Sequence, residues 1–266
     1  MSLQGNKMIK PNKKHAVLLD LYEHCKGQDN FVFHNDLVKD FAKKHKFGNP
    51  FDTTKLDSSD KLPQLFKEQD ICLLHLGSGN HKFIKGINKL YHTFEPIQER
   101  TEWAYKKSLL NEYNDSESNI LSVANNQRIL HDFVFGRDLE FENLPIQKRP
   151  KTYFPHRTKT TLRYSFENEQ IIALNQQIEI DLTLEFNAVV AVFEAKNGTP
   201  KDFNIYQIYH PFLYYYNSNL PLQNIICCYL LRNENSLKFF AYTFEKPLQL
   251  DSIKFLKSKE YILRKD

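Results

Sequence analysis

The chain reads as an α/β (α+β) protein with a winged helix-turn-helix at its amino end and a mixed sheet flanked by helices behind it. Three observations carry this reading. Apolar residues recur at helical spacing three times before residue 70, and two strand-like runs joined by Gly77-Ser78-Gly79-Asn80 follow them. The second half alternates strand-like runs with one aromatic-rich helical stretch. Between the halves, residues 95–118 are charged and polar, which divides the 266 residues into a winged-helix unit at 1–94, a linker at 95–118 and a second domain at 119–266.

From residue 13 to about residue 25, Ala16, Leu18, Leu19, Leu21 and Tyr22 share a helical face, and Lys26-Gly27 ends the helix. A second helix begins near Asn35 or Asp36, either a fair cap, and carries Leu37, Val38, Phe41 and Ala42 to the Gly48-Asn49-Pro50 break. A third opens around Ser58-Ser59-Asp60 with Pro63 in its first turn. Strands at 71–76 and 82–87 complete the winged pattern. In that fold the third helix enters the major groove and the hairpin tip lies by the backbone. The expected DNA contacts are therefore Lys55, Ser58, Ser59, Lys61 and Gln64, with His81 and Lys82 on the wing. Winged helices also serve as protein-docking modules, which is the competing reading.

Trp103, the only tryptophan, predicts with Tyr105 and Leu109 a short helix packed between the domains. One helix is expected over 120–135, with Ile120, Val123, Ile129, Leu130, Phe133 and Val134 on its apolar side and Gly136 at its end. Strands at 160–166 and 169–175 lead into a hairpin over 179–197. A helix at 203–216, bent or ended by Pro211, and strands at 223–231 and 237–244 close the sheet.

The hairpin carries the chemistry. If Asn187-Ala188 is a two-residue turn, Phe186 faces Val189, and counting outward sets Asp181 across from Glu194 and Glu179 across from Lys196. Those four charges share one face, and the other is apolar from Ile180 to Phe186 and from Val189 to Ala195. Two facing carboxylates repel unless a divalent cation lies between them, and hard oxygen ligands suit Mg2+. Lys196, on the same face as Glu194, can hold an attacking water or the charge that builds on phosphoryl oxygens. A solvated ion pair across two strands is the plainer alternative.

These residues, Gln177-Ile-Glu-Ile-Asp181, Phe193-Glu-Ala-Lys-Asn197 and the run from Asp202 to Phe212, resemble the PD-(D/E)XK nuclease superfamily and within it the type II restriction endonucleases. The resemblance covers roughly the last half of the chain. Ile180 stands where the naming proline would be. It implies Asp181 and Glu194 as Mg2+ ligands, Lys196 as the catalytic lysine, and Gln177, Glu179 and Gln207 in support. It also implies cleavage of double-stranded DNA to 5′-phosphate and 3′-hydroxyl ends, a homodimer for palindromic sites, and a cognate DNA methyltransferase. A repair or mobile-element nuclease and a non-catalytic winged-helix regulator are the alternatives.

Composition agrees with a globular protein: 41% hydrophobic and 26% charged. No run of about 18 apolar residues marks a membrane span, and the polar start has no signal-peptide pattern, so a cytoplasmic location is expected. Cys25, Cys72, Cys227 and Cys228 lack zinc spacing and are expected as buried thiols, the last two on opposite faces of a strand. Net charge is only +4. The basic residues cluster, however: Lys7, Lys10, Lys13 and Lys14, then Lys148, Arg149, Lys151, His156, Arg157, Lys159 and Arg163, a strip suited to phosphates or to guarding an edge strand.

Overall fold

The computed structural model describes residues 12–105, 116–136, 143–233 and 235–265. Lys7, Lys10 and Leu109 lie outside them, as do residues 106–115 of the central segment expected as a linker. In chain order the elements are α1 Lys13–Gly27, β1 Val32–His34, α2 Asn35–Lys44, α3 Gln64–Gln69, β2 Ile71–Gly77, β3 Asn80–Lys85, α4 Ile87–Leu90, β4 Tyr91–Thr93, β5 Glu99–Tyr105, α5 Glu117–Asn126, α6 Ile129–Phe135, β6 Lys151–Tyr153, β7 His156–Phe166, β8 Glu169–Ile180, β9 Leu182–Phe186, β10 Val189–Asn197, β11 Asp202–Asn204, α7 Tyr206–Tyr216, β12 Asn224–Asn233, β13 Ser236–Phe244 and β14 Ile253–Lys265. Short 3-10 turns add Pro50–Asp52, Ser59–Lys61 and Ile146–Lys148. The result is a mixed α/β architecture, and no helix among the described residues is long and apolar enough to cross a membrane.

The amino-terminal unit packs α1, α2 and α3 around Val17, Leu18, Leu21, Val38 and Phe66 beside a sheet of order β1-β3-β2. Its third helix is shorter than the sequence suggests. Pro63 lacks a donor and holds its predecessor extended (Leu62 ψ 141°), so Ser59–Lys61 stays a separate turn and α3 starts at Gln64.

Seven strands form the main sheet in the order β5-β14-β13-β12-β10-β9-β6. Here β10 runs antiparallel to β9 and parallel to β12, so it is a central strand covered on both faces. Val190 and Val192 pack toward α7 and the amino-terminal unit, while Ala191, Phe193 and Ala195 pack toward α5 and α6. The expected division into one apolar and one charged face therefore holds only at the strand's end. Cys227 and Cys228 fall into these two cores in turn, and all four cysteines are buried and free.

Several expectations are corrected. Trp103 sits on a strand, β5, which pairs parallel to β14, so part of the expected linker is sheet. The helix expected at 120–135 is two, broken where Arg128 adopts a left-handed conformation (φ 62°). The strands expected at 160–175 form a separate two-stranded ribbon, β7 with β8, instead of joining the sheet. Pro211 lies inside α7 and does not end it.

The amino-terminal unit and the sheet share one hydrophobic core that runs from Val17 to Leu250. Two polar contacts lock the seam. Buried Asp202 accepts from Ser58 Oγ and Ser59 N, each at 2.8 Å, and from Ser59 Oγ. The β2–β3 turn lies on β8: Gly77, at φ 71°, would set a Cβ 2.0 Å from Leu174 O, so only glycine lets the backbones come this close.

Candidate functional site

The turn between β9 and β10 is Asn187-Ala188, with φ of 50° and 60°, as a type I′ hairpin turn requires. Phe186 pairs with Val189, and the ladder runs to Leu182 opposite Phe193. There the chain turns a corner. Ile180 ends β8 in the ribbon and Leu182 begins β9 in the sheet, which leaves Asp181 at the junction, its Oδ2 accepting from Ala195 N at 3.4 Å. Asp181 thus lies beside the end of β10. Glu179 does not face Lys196: it has stayed on the ribbon, paired with Arg157 at 2.8 Å.

Glu194 and Lys196 point from the end of β10 into a cleft of about 580 Å³ whose wall also includes Asp181, Glu117, Asp57, Lys55, Gln177 and Gln207. Lys196 Nζ lies 2.9 Å from Glu194 Oε1 and 2.9 Å from Glu117 Oε1. Gln207 Nε2 on α7 donates to the same Glu194 Oε1 at 2.9 Å, so these contacts leave Oε2 for a ligand. Tyr229 OH lies 3.4 Å from Gln207 Oε1 and steadies that amide. Burial lifts the Glu194 carboxyl to about 8, with repulsion from Asp181 adding to it and Lys196 opposing. Burial also raises Asp181. For Lys196 burial acts downward, but Glu194 and Glu117 outweigh it and keep the ammonium above its ordinary value.

Glu117 and Asp57 are cleft carboxylates that the sequence reading missed. Glu117 opens α5 behind its cap Ser116, whose Oγ accepts from Asn119 N at 3.2 Å. That Ser-Glu helix start is visible in the sequence, but its approach to Lys196 is not. Asp57 is tied to Lys61 at 2.7 Å and held below its usual value, where burial opposes the effects of Lys61 and Lys196.

The expected DNA contacts are scattered. Lys55 reaches the cleft, but Ser58 and Ser59 are engaged by Asp202 and Lys61 by Asp57. Gln64 is exposed and bonded to Glu68. On the β2–β3 hairpin, His81 is buried against His75 and Asn35, and Lys82 pairs with Glu169. The hairpin expected as a wing packs on the ribbon instead of standing free. Of the basic strip, Arg157, Lys159 and Arg163 project from the exposed face of β7, with Lys159 opposite Gln177 at the cleft. Lys148 is exposed, Arg149 Nε donates to Leu144 O, and Lys151 on edge strand β6 pairs with Glu185 at 3.4 Å.

Among the described residues no group of three or more His, Cys, Asp or Glu side chains is arranged to hold a metal ion. Mg2+ asks for less, because it keeps most of its waters and binds through one or two carboxylates. Asp181 and Glu194 supply that oxygen set, and burial raises the proton affinity of both even with Lys196 beside them. The donor set therefore fits a hard divalent cation.

Fold and site together describe a mixed α/β protein with a carboxylate- and lysine-bearing cleft beside a central strand. Residues 86–262 match the family described as Domain of unknown function (DUF6997), and the chain belongs to that family. Residues 15–83 match a second one, Domain of unknown function (DUF6996). The two matches meet near the start of α4, ahead of the segment expected as a linker. No curated protein and no solved structure matches the chain.

Proposed function

We propose that this protein is a Mg2+-dependent endonuclease acting on double-stranded DNA, of the type II restriction kind that the sequence resembles. The observation that carries the proposal is the meeting of Asp181, Glu194 and Lys196 in one cleft at the end of a central strand. When bound by the two carboxylates, the cation would polarise a phosphoryl oxygen and acidify a water. Lys196, held protonated between Glu194 and Glu117, donates to the charge that grows on the phosphorus oxygens. Gln207 fixes the rotamer of Glu194, and Arg157, Lys159 and Arg163 offer phosphate contacts one strand from the cleft. A homodimer would cut both strands of a palindrome, and a methyltransferase would protect host DNA.

One observation favours a second reading within the same chemistry. Ser58 and Ser59 are tied to Asp202 and the wing is packed on β8, so the amino-terminal unit presents few side chains for reading bases. A nuclease of repair or mobile-element processing, without a fixed sequence, needs none. Incubating the protein and Mg2+ with a long DNA of known sequence separates these readings: discrete fragments support restriction, a smear supports the second, and intact DNA overturns both. Asp181→Ala should abolish cleavage, and Lys196→Ala should slow it by at least about 100-fold.

A further inference from the structure

The inner wall of the cleft is built from groups that phosphodiester cleavage does not use. His75 Nδ1 and His81 Nδ1 lie 2.9 Å apart, and His81 Nε2 lies 2.9 Å from Asn35 Oδ1. With the Asn35 amide in this orientation its Oδ1 can only accept, so His81 carries its proton on Nε2 and His75 donates from Nδ1. His75 Nε2 is then a bare acceptor. Burial holds His75 at about 4 and His81 at about 2, so both rings are neutral at physiological pH.

Further in, His210 is 5% exposed, and its Nε2 has no hydrogen-bond partner among the described residues; nor does Oε1 of Gln176. Both side chains belong to the cleft wall. Buried polar atoms are nearly always paired, so two orphans in one wall point to a missing hydrogen-bonding ligand. Tyr206 stacks on the His210 ring at 5.7 Å. At the mouth Phe51 is 56% exposed, with Lys39 Nζ 5.9 Å from its ring centre. The wall is therefore aromatic and lined by neutral imidazole and amide groups, with Lys39 only at its rim, whereas the Glu194–Lys196 side of the same cleft carries the charges.

We infer that this wall receives one unpaired nucleobase, stacked on Phe51 and hydrogen-bonded along its edge by His75, His210 and Gln176, beside the phosphate at Glu194 and Lys196. The placing of that phosphate rests on the nuclease reading above. A base is planar and uncharged and carries both donors and acceptors, which are the properties the wall complements. The cleft belongs to the small-ligand class of about 300–1,000 Å³, so a base must leave the helical stack to enter it.

The test uses the full chain carrying Asp181→Ala, so that bound strands stay intact. Fluorescence anisotropy compares the four deoxynucleotide homopolymers with an abasic deoxyribose-phosphate strand of equal length. At least one homopolymer should bind roughly 5- to 150-fold more tightly than the abasic strand, the equivalent of about 1–3 kcal/mol of stacking. Phe51→Ala, at an exposed site where the fold is safe, should remove that difference and leave abasic binding unchanged. His210→Phe, checked for folding by its melting curve, should change the ranking of the four bases. Equal affinity for all strands, no binding of any, or a parallel loss for both strand types in Phe51→Ala would overturn the inference. Cleavage of duplex DNA by the unmodified protein is scored separately. Cutting without base preference sinks the pocket alone, and base preference without cutting sinks the nuclease reading alone.

Discussion

Glu194→Gln probes the electrostatics of the cleft while barely changing its shape. The carboxyl is lifted from 4.5 to about 8, mainly by burial, and its side chain is only 14% exposed. Between those two values the unfolded chain has released the proton and the folded chain has kept it. Raising the pH through this window therefore withdraws stability, and the loss is complete above about 8. From about pH 6 to about pH 9 the folded group spans two pH units below its midpoint, which at 1.36 kcal/mol each gives a loss of about 3 kcal/mol. Glutamine does not titrate and still offers an oxygen to Gln207 Nε2, while Lys196 keeps Glu117 as a partner. Urea unfolding of both proteins in EDTA at the two pH values measures the difference. The variant should gain about 3 kcal/mol on the original protein between them. Mg2+ added at the higher pH should stabilise only the original protein. Stability curves that stay parallel across the window would refute the assignment of Glu194 as a carboxyl that burial keeps protonated.

Three further outcomes follow from the same structure. Asp202→Ala strips the acceptor from Ser58 Oγ and Ser59 N at the seam, and should cost about 3 kcal/mol in urea unfolding. Ala188→Gly relieves a left-handed alanine in the β9–β10 turn and should raise stability by about 0.5–1 kcal/mol, read as a higher urea midpoint at unchanged slope. His75, His81, His131 and His210 are held neutral, mainly by burial, at about 4, 2, 4 and 3, so below their unfolded value of 6.5 the unfolded chain binds more protons than the folded one at these sites. Their share of the stability, present above 6.5, should be lost at about 1.4 kcal/mol per group for each pH unit down to about 4, against the opposite drift from Glu194, and His75→Phe should flatten the measured slope by about 1.4 kcal/mol per unit.

Local chemistry made some parts legible in the sequence. The Asn187-Ala188 turn between apolar runs sets the register of β9 and β10, and the helical face of α1 is written in Leu18, Leu21 and their neighbours. Gln207 reaches Glu194 from the helix where the sequence placed it. What failed was tertiary. Glu179 was expected across from Lys196 because a strand was assumed to continue through Asp181, whereas the chain changes sheets there. β5 reads as a linker because Glu99, Arg100 and Glu102 decorate an outer strand of the sheet, where charge is the usual defence against aggregation. The β2–β3 hairpin reads as a free wing because nothing local in Gly77-Ser78-Gly79 reveals that Leu174, almost a hundred residues later, lies against it.

The seam has a consequence for engineering. Gly77 sits against the carbonyl of Leu174, and Ser58 and Ser59 share the carboxylate of Asp202, so the front third and the rest of the chain fit each other as key and keyway. A chimera that borrowed the first eighty residues of another protein would arrive without the notch or the two hydroxyls, and would leave a buried acid stranded in the joint. Redesign of this molecule must proceed side chain by side chain, because its halves cannot be traded as cassettes.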